Sequence, residues 1–305
     1  MASNSTIFAQ DDKFWNNYLK GRPQAPEVFF DRIFSYHQAQ GGTFGTVHDV
    51  GAGNGPYAPK LRSKFAHVIV SDIVARNIEL AQARLGTDGF SYRAAKVEEA
   101  GDIQPGSVDM VFATNVMHFP DQRAAMNAIA QQLRPGGTFA CATFGSARFY
   151  DVKLQNLWER VNYQGGRELL QRAEDPKQTI GVMSRTQGNV APLDPKLFLP
   201  GAQRLGLNTM HGDIVTMLPP DFAQANNEPN HIGTQDKISI TEEDGWSFEM
   251  DLDGVKEHML SFPFVADYKS SFTDLFAELD HLLSGGAKAS GVFPARVILA
   301  TRRSE

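Results

Sequence analysis

A chain of 305 residues, 42% of them apolar, is long enough for one large domain or two ordinary ones with a sizeable core. Its net charge of −6 comes without a basic run, which argues against nucleic acid as the main partner, because phosphate binding needs clustered Lys and Arg. No apolar stretch reaches membrane-spanning length, and the single cysteine, Cys141 in "TFACATF", can form no disulfide within the chain and reads as an inert buried thiol.

The opening "MASNSTIFAQDDKFW" lacks the basic start and apolar core of a secretion signal, so a cytoplasmic protein is expected. In "FWNNYLKGRP", Trp15, Tyr18 and Arg22 are spaced by three and four, and one helical face can present all three. They suit either a lid over a ligand or a staple holding the segment to the domain. The first strand, "TVHDV" (46–50), feeds the loop "GAGNGP", and "AHVIVSDI" (66–73) is a second strand ending in an acid. The helix "VARNIELAQARLG" stops at Gly86, a C-cap position. "FSYRAA" and the almost wholly apolar "SVDMVFAT" predict strands three and four, the latter covered on both faces. "QRAAMNAIAQQL" is a helix ended by "RPGG", and "TFACATF" is strand five. Such alternation predicts an α/β fold, a parallel sheet with helices on both sides.

The second half is less regular. "DVKLQNLWERVNYQ" is an amphipathic helix, whereas about 165–236 is rich in Pro, Gly, Asn and Gln and holds only short periodic pieces. Order resumes with the strands "KISIT" and "WSFEMDL", the helices "DGVKEHMLSF" and "SSFTDLFAELDHLLSGG", and a last strand, "ARVILATRR". Trp158 and Trp246, within periodic apolar stretches, read as core. The expected organisation is one domain: N-terminal helices over 1–40, a ligand-binding core over 41–148, an irregular insertion over 149–236 and closing strands and helices over 237–305.

The loop decides the ligand class. Gly51, Gly53 and Gly55 let the backbone turn tightly and approach a ligand, while Pro56 takes the place of the third glycine of the dinucleotide fingerprint. Asp49 sits directly under the loop, where a carboxylate about 4 Å from a pyrophosphate would cost roughly 4 kcal/mol per charge pair at an effective dielectric near 20. The same carboxylate favours an ammonium or a sulfonium. Asp72, at the end of the second strand, can accept both ribose hydroxyls. Together they describe a nucleoside cofactor with a cationic tail and no phosphates, which S-adenosyl-L-methionine fits. No G-x-S-x-G elbow, P-loop or helix-borne His pair appears, so hydrolase, NTPase and metal chemistry are not expected.

The series "VHDVGAGNG", "VIVSDI", "GSVDMVFATNVMHF" and "LRPGGTFACATF" over roughly 45–145 resembles the class I S-adenosylmethionine-dependent methyltransferases. The segment "FWNNYLKGRPQAP" and the C-terminal pattern are similar to fungal small-molecule enzymes related to trans-aconitate methyltransferase. That resemblance implies a Rossmann-like, doubly wound, mostly parallel seven-stranded sheet. It also implies methyl transfer to a small-molecule carboxylate, hydroxyl, thiol or amine in secondary metabolism, by a monomer or homodimer. It places Gly51, Ala52, Gly53 and Asn54 along the methionine and ribose, Asp49 near the ammonium group, Asp72 on the diol, and Ile73 and Val97 beside the adenine. Lys96 stands where the family often has an acid for the adenine amino group. Asn115 would meet the cofactor, Trp15, Tyr18 and Arg22 would close over it, and Arg22 would pair its carboxylate. His118, one turn on, is the candidate general base, and Phe149, Tyr150 and the loop residue His231 are candidates for the acceptor pocket. Rival readings are a methyltransferase fold turned to rearrangement or cyclisation, and a non-catalytic cofactor sensor.

Overall fold

The structure is a computed structural model and describes residues 12–304. Residues 1–11 of the expected lid segment, including most of the secretion-signal window, lie outside the described residues. Helices α1 (Asp12–Gly21) and α2 (Glu27–Ala39) precede β1 (Thr46–Val50), α3 (Ala58–Arg62), β2 (His67–Asp72), α4 (Ala75–Leu85) and β3 (Phe90–Ala94). Then come β4 (Val108–Thr114), α5 (Gln122–Gln132), β5 (Leu133–Phe144), β6 (Arg148–Phe149), α6 (Val152–Gln171), α7 (Pro176–Arg185) and β7 (Gln203–Leu207). The chain closes with β8 (Lys237–Thr241), β9 (Ser247–Met250), α8 (Leu252–Leu260), α9 (Pro263–Asp267), α10 (Thr273–Leu282), β10 (Ala289–Val292) and β11 (Ala295–Thr301).

The main sheet has eight strands in the order β3-β2-β1-β4-β5-β11-β7-β8. Neighbours from β3 to β5 run parallel, β11 is antiparallel to both β5 and β7, and β7 pairs parallel with β8. The α/β class and the mostly parallel sheet are as expected, with one strand more than seven: "KISIT" adds an outer edge. A small antiparallel sheet, β6-β10-β9, stands apart. Strand order reverses between β1 and β4, so their C-terminal ends leave a crevice, the place where open α/β sheets bind ligands.

All seven residues of β4 are buried, as a strand covered on both faces requires. Met110 and Phe112 join the core under α2, with Phe29, Phe30 and Phe34, whereas Val111 and Ala113 join the one under α5, with Met126 and Ile129. The acid within β4 is satisfied: Asp109 accepts from Thr43 Oγ1 and from the Thr46 N–H, each at 2.6 Å. Helix α4 ends at Gly86, whose φ of 73° an L side chain rarely adopts.

The span expected to be irregular holds more order than its composition announces. Helix α6 runs on through Gly165 and Gly166, because without a Cβ these positions admit the Phe264 ring and the Met217 carbonyl. Asp175 caps α7 by accepting from the Gln178 N–H, with Pro176 at the first helical position. Strand β7 enters the main sheet itself. Trp158 and Trp246 are buried and donate to Ser146 Oγ and Glu243 Oε1, both at 3.0 Å, in keeping with a core role. Cys141 is buried in β5 and its thiol pKa is pushed up to about 12 by burial, which leaves it inert. No described helix is long and apolar enough to cross a membrane.

Candidate active site

The loop after β1 turns through positive φ at Gly51, Gly53 and Gly55. A Cβ at Gly51 would collide with Val116, and one at Gly53 with the Trp15 ring. These glycines therefore form a main-chain floor that Val116, just beyond β4, and Trp15 of α1 approach closely. Above it is a cavity of about 490 Å³. Its wall includes Gly51, Ala52 and Gly53 from the loop, Asp72 and Ile73 from the end of β2, and Val97 beyond β3. Asn115 follows β4, and Trp15 and Tyr18 reach over from α1.

Asp49 lies under this floor, buried, with neither carboxylate oxygen hydrogen-bonded. Burial, with the Asp72 carboxylate adding to it, raises its pKa to about 8. Asp49 lines neither cavity, so a cationic ligand would offset this orphaned acid from across the floor, not by lying against it. Asp72 is fixed from three sides: its carboxylate accepts from the Gly53 and Val74 N–H groups at 2.9 Å and from Asn77 Nδ2 at 3.2 Å. Its pKa is raised, by burial against those three bonds. Ile73 is 46% exposed, an apolar surface on the cavity wall free to meet a flat ring. Asn54 is buried with an unpartnered Oδ1, but it does not line the cavity. Glu98 is on the wall beside Lys96 and accepts from the Asp121 N–H at 3.1 Å.

A second cavity of about 480 Å³ adjoins the first, and Tyr18, Asn115, Phe119 and Gln178 line both. Asn115, at this junction, has φ 54°, and its Oδ1 accepts from the Phe144 N–H at 2.9 Å. Arg22 lines this second cavity and not the first. Its guanidinium lies 3.6 Å from the Phe262 ring centroid, Nη1 donates to the Gly145 carbonyl at 3.3 Å, and buried Nε has no partner. Burial lowers its pKa. His118 is on the same wall, its Nδ1 buried and unpartnered. Burial and then Arg185 push its pKa down to about 3, so the imidazole is neutral at physiological pH.

Three expected acceptor-pocket residues are elsewhere. Phe149 is buried in β6, ring-to-ring with Phe248 at 5.5 Å; its alternation in the small sheet turns it into core. Tyr150 is 50% exposed and packs on His211. His231 lines neither cavity: its N–H donates to Asn189 Oδ1, and its Nε2 is 3.2 Å from Glu228 Oε1. Glu228 in turn pairs with Arg185 at 2.8 Å, and Arg185 Nε donates to the His118 carbonyl at 2.9 Å. His231 thus supports the wall from behind. Sequence reasoning missed Asn77, Gln178 and Phe262 on these walls. A polar residue on the apolar face of α4 was a readable signal for Asn77; nothing local marks the other two.

The strand order, with β11 antiparallel inside an otherwise mostly parallel sheet and a glycine-rich crevice where that order reverses, is the class I methyltransferase fold. Residues 48–141 match the methyltransferase domain family. Methyltransferase AacuQ of Aspergillus aculeatus is 58% identical over 303 residues, covering 99% of this chain and 97% of that one. Methyltransferases tpcM of Aspergillus fumigatus and gedG of Aspergillus terreus are 56% and 52% identical, each over 99% of this chain and 95% of theirs. The chain belongs to this family and is an S-adenosylmethionine-dependent methyltransferase. A protein assigned as a type II methyltransferase from Anaeromyxobacter dehalogenans shares the fold, with TM-score 0.53, 18% identity and coverage of 92% and 96%.

Proposed function

We propose that the glycine-loop cavity holds S-adenosylmethionine and that its neighbour holds a small, largely apolar acceptor carrying an oxyanion toward Arg22. The observation that carries this reading is the shared wall. Two cavities of about 490 and 480 Å³ meet at Tyr18, Asn115, Phe119 and Gln178, so a donor in one and an acceptor in the other face each other.

The cofactor, when bound, supplies a methyl group on a sulfonium. The chain's own residues bind, orient and exclude water. Asp49 offers the counter-charge and Asp72 accepts from the ribose diol, while Ile73 and Val97 flank the base. Tyr18 and Phe119 close the junction, where alignment of the reacting atoms and loss of water contribute most of the rate. His118, with a pKa of about 3, takes protons weakly and serves as a hydrogen-bonding residue for the acceptor. An acceptor that is already ionised needs no base, and a buried guanidinium with a free Nε is the group that would hold it.

Calorimetry with S-adenosylhomocysteine should give a saturable heat, and labelled methyl should pass from S-adenosylmethionine to members of a panel of small aromatic and aliphatic acids. Their primary amides should remain unlabelled. Absence of binding would end the cofactor assignment, and equal labelling of the amides would end the role of Arg22.

A further inference from the structure

Asn77 stands in the first turn of α4, buried, on the wall of the glycine-loop cavity. Its two amide ends reach two different parts of the chain. Oδ1 accepts from the Trp15 indole N–H at 3.0 Å, and Nδ2 donates to Asp72 Oδ1 at 3.2 Å. The Trp15 ring lies against Gly53, where any Cβ would strike it, and Trp15 is 6% exposed. The other Asp72 oxygen accepts from the Gly53 N–H at 2.9 Å. The contacts close a circuit: lid indole, Asn77, Asp72, glycine loop, and back to the indole.

The chemistry of the two neighbours fixes the amide. An indole N–H can only donate and an ionised carboxylate can only accept, so a side chain between them needs one acceptor and one donor. Asparagine has both at this reach. Aspartate would keep the bond to Trp15 but set a second carboxylate against Asp72, and alanine would remove one hydrogen bond from each of these buried partners.

We propose that Asn77 is a positioning residue that couples closure of α1 to recognition of the cofactor's ribose. The amide that holds Asp72 ready for the diol also holds the lid indole over the loop. This rests on the cofactor assignment above. It makes α1 a latch: entry and release of the cofactor require the Trp15–Asn77 bond to open, and a ribose docked on Asp72 favours its closed form.

The test is the rate of S-adenosylhomocysteine release, followed by stopped flow in the full chain, together with hydrogen exchange over residues 12–21. Asn77→Ala should speed release about tenfold, on the scale of two lost buried hydrogen bonds, and Asn77→Asp should speed it further. Trp15→Phe, which keeps a ring and removes the N–H, should speed release about fivefold. In an Asn77→Ala or Asp72→Ala background that factor should shrink to less than about twofold, because the circuit is already open. Ligand protection of the 12–21 amides should be lost in Asn77→Ala. Asn77→Ser provides a milder variant with the same expected direction. Unchanged release in Asn77→Ala, or factors that simply multiply across the double variants, would overturn the coupling. Failure of the native chain to bind S-adenosylhomocysteine would instead overturn the cofactor assignment.

Discussion

The two cavities are almost equal in volume and are built in opposite ways. The glycine-loop cavity is walled chiefly by one run of β–α units, with strand ends, a loop of positive φ and the Asp72 carboxylate, and is closed by Trp15 and Tyr18 of α1 and Gln178 of α7. Its neighbour is mostly side chain, gathered from α1, α6, α7, α9 and the segments around Asn115 and Ile214. A site made of backbone turns is fixed once the strand order is fixed. A site made of side chains depends on how several helices dock, and each contact there can change without disturbing the sheet.

That difference can be tested at an ion pair behind the wall of the second cavity. Arg185 and Glu228 form an ion pair whose side chains are 11% and 14% exposed, and Arg185 also holds the His118 carbonyl. Glu228→Gln leaves a nearly buried charge without its partner, which costs about 3 kcal/mol in comparable sites. Urea denaturation should show that loss, while S-adenosylhomocysteine affinity stays within about threefold, since the variant leaves the glycine loop intact. A collapse of cofactor binding would mean that the two halves are one unit.

Arg22 sharpens the same boundary. The resemblance to known enzymes implies a partner in the cofactor's carboxylate, whereas the guanidinium lines the other cavity, stacked on Phe262. Arg22→Gln should lower kcat/KM for a labelled acid about a hundredfold, the scale of a lost charge-assisted anchor, and leave cofactor affinity within about threefold. The reverse split would return Arg22 to the cofactor. Asp72→Ala tests the other half and should weaken S-adenosylhomocysteine at least about tenfold, as expected for a lost charge-assisted contact to the diol. A merely structural Asp72 would lower the folded yield and leave the affinity of the surviving protein alone.

The same contrast explains what the sequence disclosed. Strand–helix alternation and the acids at 49 and 72 are local signals, each tied to a period or a turn, and they led directly to the fold and to the glycine-loop crevice. Trp15 and Tyr18 were legible because helical spacing sets them on one face. The acceptor side was not. Phe149, Tyr150 and His231 are candidates because they border the irregular insertion or stand in a polar loop, and neither feature says where a side chain ends up. Phe149 went to the small sheet, whose existence depends on β9 and β10 arriving about 100 and about 140 residues later. Gln178 and Phe262 reach the walls only through the docking of α7 and of the turn before α9, which no short motif encodes. Gly165 and Gly166 look like a loop signal and are instead the close-packed middle of α6.

The smallest expected effect concerns pH and belongs to the legible half. Burial holds the Asp49 pKa at about 8, far above its ordinary 3.8, with Asp72 adding to the shift. The folded chain therefore binds more protons than the unfolded chain between these values, and its stability falls as pH rises through that window. A cationic cofactor prefers the ionised acid, so its binding below about pH 8 expels a proton, and affinity climbs with pH until the acid is ionised in the free protein. From about pH 6.5 to about 7.5 the gain should be several-fold, below the tenfold per unit that one full proton allows. Calorimetry in buffers of different ionisation enthalpy would count the proton. Asp49→Asn should flatten both profiles, making the empty protein more stable at pH 8 and the cofactor weaker at every pH. A pH-independent affinity with the native Asp49 would show that this carboxylate is already ionised in the empty protein, and that the main chain of the glycine loop compensates for its charge.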